Sequence, residues 1–197
     1  MIVAQTNSTG KTRQLVLAAL MAAVTSVLAY VRIPIPGSPV PITGQTFGLM
    51  LAALLLGPRF GALSQAVYLL MGIAGLPVFA GGQAGLAVLA GPTGGYLWGH
   101  VIGAFVGGLW VRPGARPTFL RALAGAVTGG IAAVYVPGVL QLAWVTGMDW
   151  PAAIAAGALP FLPGDFLKAA AAAAVAVRVA AAALNLGLPA QESARRA

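Results

Sequence analysis

Long apolar runs, broken by very few charged residues, constrain this chain more than any other feature. Of its 197 residues, 59% are hydrophobic and 7% are charged, whereas soluble domains have roughly 45 to 50% and 25%. Four runs reach or approach the roughly 20 residues that a helix needs to cross a bilayer; they cover residues 15–31, 60–76, 123–145 and 166–184. We therefore predict an all-α integral membrane protein, with residues 1–197 forming a single transmembrane domain and a helical core at about 14–188 between short tails.

The charges and the cysteine count exclude several other classes of protein. The net charge of +8 does not indicate a nucleic-acid partner, because that needs cations clustered on one face, and here they are scattered. There is no cysteine, and one histidine and three acidic residues are too few for a catalytic metal site. We expect no cofactor and no bound metal. A removable signal peptide is not expected either, since the first apolar run is longer than a typical signal sequence and lacks a good cleavage site.

The distribution of Lys and Arg predicts how often the chain crosses the membrane. Segments 42–56 and 96–111 are shorter candidate spans, and Lys and Arg gather in cytoplasmic loops. Six crossings from a cytoplasmic N-terminus leave Arg32 alone outside and put eight cations inside: Lys11, Arg13, Arg59, Arg112, Arg116, Arg121, Arg195 and Arg196. Five crossings would reverse that bias. We therefore predict six transmembrane helices with both termini cytoplasmic, and Arg178 as an anchor near the inner end of the sixth.

One turn near the end of the chain places two opposite charges in apolar surroundings. It reads Pro163-Gly164-Asp165-Phe166-Leu167-Lys168. On a helix, side chains three positions apart share one face, and ionisable groups at membrane depth usually mark a functional site. We predict that Asp165 and Lys168 bind a ligand. The alternative is that Asp165 is only the N-cap of the sixth helix.

The predicted external segments 32–45, 77–95 and 146–164 supply further polar candidates. The first is stiffened by four prolines, and the second is glycine-rich yet apolar, so we expect it to fold back over the bundle. On the same side as Asp165 lie the candidate binding residues Thr43, Gln45, Gln83 and Tyr96. His100, one helical turn after Tyr96, either lines the same pocket or is a hydrogen-bonded packing residue.

Five ordered motifs, spanning about residues 18–184, resemble one family. They are Pro39-Val40-Pro41-Ile42-Thr43-x-Gln45-Thr46, Leu56-Gly57-Pro58-Arg59-x-Gly61, Gly75-Leu76-Pro77-Val78-Phe79, Gly91-Pro92-Thr93-Gly94-Gly95-Tyr96 and Pro163-Gly164-Asp165-x-x-Lys168. Together they are similar to the BioY family, the biotin-specific substrate-binding (S) components of energy-coupling factor (ECF) vitamin transporters. The resemblance implies a high-affinity biotin-binding subunit of the cell (inner) membrane, without enzymatic activity, built as an ECF S-component bundle.

The resemblance also implies roles for particular residues. Biotin is expected near the outer surface under the loop between helices three and four, in contact with Asp165 and Lys168. A strip of small residues on the first helix, which is flat enough for close helix packing, is expected to meet the transmembrane coupling (T) subunit, itself driven by two ATPase subunits. The strip consists of Ala18, Ala19, Ala22 and Ala23.

Three alternatives stay open at this point. Asp165 could accept a hydrogen bond from a ureido N–H of biotin while Lys168 either donates to the ureido oxygen or neutralises Asp165. The protein could work alone or as a homo-oligomer without the coupling module. The third alternative is an enzyme rather than a transport subunit. It would lie in the membrane and use Asp165 and Lys168 as an acid and base pair, but an enzyme site usually needs further positioned groups.

Overall fold

The computed structural model of the chain describes residues 3–111 and 116–185. The elements are α1 (Val3–Leu28), β1 (Arg32–Ile33), β2 (Ile42–Thr43), α2 (Gln45–Ile73), α3 (Leu86–Ala90), α4 (Gly94–Gly108), α5 (Phe119–Val127), a π-helical turn (Thr128–Ala132), α6 (Ala133–Thr146), α7 (Trp150–Gly157) and α8 (Leu162–Asn185). The predicted C-terminal tail, with Arg195 and Arg196, and also Arg112 lie outside the described residues. At the other end of the chain, α1 begins at Val3, which is before the predicted start of the helical core at about residue 14.

Four helical stretches are long and apolar enough to cross a membrane, counted over the described residues. They are Gly10–Leu28, Gln45–Ile73, Phe119–Thr146 and Leu162–Ala183. The third joins α5, the π-helical turn and α6 into one rod. The predicted spans 15–31, 123–145 and 166–184 fall on three of these stretches, with boundaries that differ by a few residues.

The stretch Gln45–Ile73 is not one straight rod but two helices folded against each other. Gly57 has a φ of 75° and a ψ of −174°, a backbone conformation that glycine adopts readily, and Pro58 begins the returning helix. A Cβ on Gly61 would lie 3.0 Å from the Cα of Ala53, although residues eight apart in a straight helix are about 12 Å apart. The halves 45–56 and 58–73 therefore run antiparallel, and they correspond to the predicted segments 42–56 and 60–76.

The predicted external segments contain more regular structure than expected. Strands β1 and β2 pair in an antiparallel hairpin that closes the proline-rich segment, α3 lies in the glycine-rich segment, and α7 lies in the third. The prediction that the glycine-rich segment folds back is confirmed, because Phe79 is fully buried and its ring fills the space where Gly72 lacks a side chain. These connections cover one end of the bundle.

The small-residue strip of α1 is divided between two faces of the helix. Ala18 is 1% exposed and Ala22 is 0% exposed, whereas Ala19 and Ala23 are exposed. The reason is geometric, since residues four apart share a face while adjacent residues point about 100° apart. The prediction that all four meet a partner is therefore wrong for Ala18 and Ala22, which pack inside this chain.

Candidate ligand-binding site

A cavity lies at the end of the bundle that the connecting segments cover. Its walls come from β2 and the start of α2, the glycine-rich segment, α4, α6 and α8. About 640 Å³ between its walls is not filled by atoms, a figure that includes open solvent at the mouth. All six predicted binding residues line it: Thr43, Gln45, Gln83, Tyr96, Asp165 and Lys168.

Lys168 is bound to three oxygen atoms in the cavity wall. Its Nζ lies 2.8 Å from Asp165 Oδ1, 2.6 Å from the carbonyl oxygen of Thr43 and 3.2 Å from Thr46 Oγ1. An ammonium group has three donors, so each one has a partner within the protein. Lys168 therefore ties the start of α8 to β2 and the start of α2.

Asp165 is almost completely buried and accepts hydrogen bonds from three side chains. Besides Lys168, Thr46 Oγ1 donates to its Oδ1 over 3.0 Å and the hydroxyl of Tyr135 donates to its Oδ2. A carboxylate can accept about four hydrogen bonds, which leaves room for one more. The alternative that Asp165 is only an N-cap is wrong, because α8 begins at Leu162 and the N–H of Asp165 already donates to Phe161.

The other predicted residues differ in whether their polar side-chain atoms form hydrogen bonds within the protein. The hydroxyl of Tyr96 donates to the carbonyl oxygen of Gly157 over 2.7 Å, which ties α4 to the end of α7. The amide nitrogen of Gln45 donates to the hydroxyl of Tyr68. Gln83 is exposed, and within the described part of the chain its side-chain amide has no hydrogen-bond partner, so its polar atoms are accessible to solvent and to a ligand.

Sequence analysis missed several residues of the cavity. Thr46 stood in a recognised motif, but nothing about its spacing distinguished it from Thr43. Tyr135 lies in the middle of a long apolar run, and only its polar tip at membrane depth could have indicated a partner there. The apolar walls include Phe79 and Phe161, which periodicity alone could not separate from ordinary core residues.

His100 combines the two roles that the sequence left as alternatives. It lines the cavity, and its Nδ1 lies 3.3 Å from Oε1 of Gln65. Its ring also stacks on Tyr68, with the ring centroids 6.1 Å apart. No cluster of three His, Cys, Asp or Glu side chains that could hold a metal ion occurs among the residues that the structure describes.

Biotin transporters from two bacteria resemble this chain over most of its length. The biotin transporter BioY of Rhizobium etli is 42% identical over 166 residues, which cover 80% of this chain and 88% of the relative. The biotin transporter BioY of Thermotoga maritima is 42% identical over 156 residues, covering 79% and 89%.

A solved structure and a family profile agree with those relatives. The crystal structure of the S-component for biotin from an ECF-type ABC transporter matches with a TM-score of 0.78 and 29% identity, over 86% of this chain and 91% of that one. The profile of the BioY family matches residues 4–185, which include every described part of the cavity. Because sequence, profile and backbone agree over most of the chain, it belongs to the BioY family.

Proposed function

We propose that this chain is the biotin-binding S component of an ECF transporter and takes up biotin across the cell membrane. The observation that carries the proposal is the ion pair between Asp165 and Lys168, which lies in the wall of this cavity. A buried charged pair without a ligand is a weak source of stability, so binding is the better explanation for it. The BioY relatives and the S-component structure name biotin as the vitamin concerned.

Biotin fits the chemistry of this cavity. Its ureido ring carries two N–H donors and a carbonyl oxygen, its thiophane ring and valeryl chain are apolar, and its tail is a carboxylate. We propose that a ureido N–H donates to the remaining acceptor site of Asp165, because hydrogen bonds to charged groups are about twice as strong as neutral ones. Lys168 neutralises Asp165 rather than donating to the ligand, since its three donors are already engaged.

The remaining predicted residues divide into contacts and supports. We propose that Gln83 contacts the ligand, because its amide is unpaired within the described chain and lines the cavity. Gln45 and Tyr96 hold the walls through their bonds to Tyr68 and Gly157. Thr43 acts mainly through its carbonyl oxygen, which fixes Lys168.

Calorimetric titration of the detergent-purified protein with biotin tests the proposal. We expect saturable binding at one site, and we expect mass spectrometry to recover the bound biotin unchanged, as for a transport subunit without chemistry of its own. Riboflavin, a vitamin of different shape, is the matched control and should give no binding heat. Absence of biotin binding, or conversion of biotin to another compound, would contradict the proposed function.

We further propose six crossings of the cell (inner) membrane, with both termini cytoplasmic. In support, α2 reverses at Gly57, and Gly108 at the end of α4 packs against that turn. Arg59 and the segment from Arg116 to Arg121 therefore lie at one end of the bundle, while the cavity and Arg32 lie at the other. Lys and Arg mark the cytoplasmic side, which leaves the cavity facing outward.

Single cysteines can test this topology cleanly, since the chain has no cysteine of its own. Ala74 and Arg116 are both exposed and lie at opposite ends of the bundle. We expect a membrane-impermeant maleimide to label Ala74→Cys in intact cells and to label Arg116→Cys only after permeabilisation. The reverse labelling pattern, or equal labelling of both, would refute the orientation.

We propose that transport requires a coupling module, with a T subunit and two ATPase subunits, because the chain shows no nucleotide-binding motif. The surface proposed for the T subunit is the exposed face of α1 with Ala19 and Ala23, since the inner pair is buried in this chain. Small residues on that face permit close approach of a second helix.

A further inference from the structure

The hydroxyl of Thr25 determines how the buried amide of Gln65 is oriented. Thr25 Oγ1 donates its single hydrogen to the carbonyl oxygen of Met21 over 2.9 Å. From Gln65, 3.2 Å away, it can therefore only accept. Gln65 must present its NH₂ group to Thr25, and its oxygen consequently points to Nδ1 of His100, 3.3 Å away.

The orientation of Gln65 in turn fixes the tautomer of His100. An amide oxygen only accepts, so Nδ1 must carry the hydrogen, and Nε2 of the neutral imidazole is then a hydrogen-bond acceptor. The neutral form is favoured because a charge buried without its own counter-ion is costly, and Asp165 is already paired with Lys168. His100 is 3% exposed, so its ring is held firmly in one position.

The second ring nitrogen of His100, Nε2, keeps an unused lone pair. It has no hydrogen-bond partner among the described residues. It is also not one of the fully buried side-chain atoms without a partner, so part of its surface is accessible. Since His100 lines the cavity, Nε2 opens into it. The fold therefore presents a second acceptor to a ligand, in addition to the free acceptor site of Asp165.

We propose that His100 Nε2 accepts a hydrogen bond from one ureido N–H of biotin, while Asp165 accepts from the other. This inference rests on the proposed function. Biotin with an ionised tail has no donors except its two ureido N–H groups, so any hydrogen bond to Nε2 must come from the ureido ring. Two separate acceptors orient that ring inside the cavity and select for ligands with two neighbouring donors.

Two substitutions separate a ligand contact from a purely structural role. His100→Asn keeps a donor near the position of Nδ1 and can still bond to Gln65, but it has no atom at the position of Nε2. His100→Gln places a polar group near Nε2 and loses Nδ1. We expect His100→Asn to fold and to bind biotin at least about tenfold more weakly, whereas His100→Gln retains part of the affinity. If His100 only supports Gln65, the order of the two affinities is reversed.

Modified ligands make the test specific to one hydrogen bond. Two mono-N-methylated biotins, one for each ureido nitrogen, are titrated into the wild-type protein and into His100→Asn. Methylation of the nitrogen that faces His100 should weaken binding to the wild type. The factor by which it weakens binding to His100→Asn should be at least about tenfold smaller. The other analogue, and desthiobiotin as the control that keeps both N–H groups, should lose the same factor in both proteins.

A measurement on the wild-type protein covers the case in which the variants do not fold. The chain contains one histidine, so ¹⁵N-histidine labelling reports on His100 alone. We expect one protonated and one unprotonated nitrogen, with the unprotonated resonance shifting on biotin addition as Nε2 accepts a hydrogen bond. If biotin binds without such a shift and the ligand effects are additive, this inference fails while the proposed function stands. If biotin does not bind at all, the proposed function itself fails.

Discussion

Replacing Asp165 with asparagine is expected to weaken biotin binding at least about tenfold, or about 1.4 kcal/mol. The substitution preserves the shape of the side chain but removes the negative charge, so the ureido N–H loses a charge-assisted acceptor. It also leaves the ammonium group of Lys168, which is bound to Asp165 over 2.8 Å, without its counter-ion in a mostly buried site. The measurement is calorimetric titration with biotin after size-exclusion chromatography has shown that the variant is folded.

Lys168→Ala should weaken binding to a similar extent, because it removes the group that neutralises Asp165 and ties it to Thr43. Arg178→Ala is the matched control: Arg178 lies on the same helix, also carries a positive charge, and is exposed outside the cavity. It should bind biotin like the wild type. Wild-type affinity in Asp165→Asn and Lys168→Ala would show that the ion pair is not part of the binding site.

A double substitution of Ala19 and Ala23 by tryptophan is expected to abolish energised biotin uptake in cells and to leave biotin binding intact. Both alanines lie on the exposed face of α1, and neither of them lines the cavity. Two large rings on that face would prevent the close helix approach that small residues allow. Uptake of labelled biotin by cells that produce the coupling module measures the first effect, and titration of the purified variant measures the second.

Val136→Trp serves as the control for added bulk on the membrane-facing surface. Val136 is 62% exposed on α6, so the tryptophan should be tolerated and uptake should continue. If the Ala19 and Ala23 variant transports as well as this control, the exposed face of α1 is not the coupling surface. If uptake by the wild type proceeds in cells that lack the module, the protein works alone.

The residues of the cavity differ in how readily sequence could reveal them. Asp165 and Lys168 could be found because charge is scarce in this chain and their spacing is local, within one helical turn. Thr46 and Tyr135, which complete the hydrogen bonds of Asp165, are separated from it by 119 and 30 residues. No local pattern connects them, so only the packed bundle shows that they meet the same carboxylate.

The small-residue strip on α1 also shows that local sequence patterns do not reveal tertiary packing. Spacing correctly indicated two pairs of small residues that line up along the helix, but nothing local distinguishes the pair that packs inside the chain from the pair that faces outward. Burial of Ala18 and Ala22 depends on which side of α1 the rest of the bundle occupies. That choice is made by contacts between distant elements.

Hydropathy, loop charge and motif order were sufficient to predict a helical membrane bundle, its likeness to the BioY family and the charged pair near the end of the chain. These features are local or additive, since the need to satisfy the backbone in lipid imposes helices on any long apolar run. Tertiary structure alone decided that Lys168 has no free donor, that Asp165 retains one acceptor site and that His100 offers another. Each of these depends on which distant groups share a hydrogen bond, and that depends on how the helices pack.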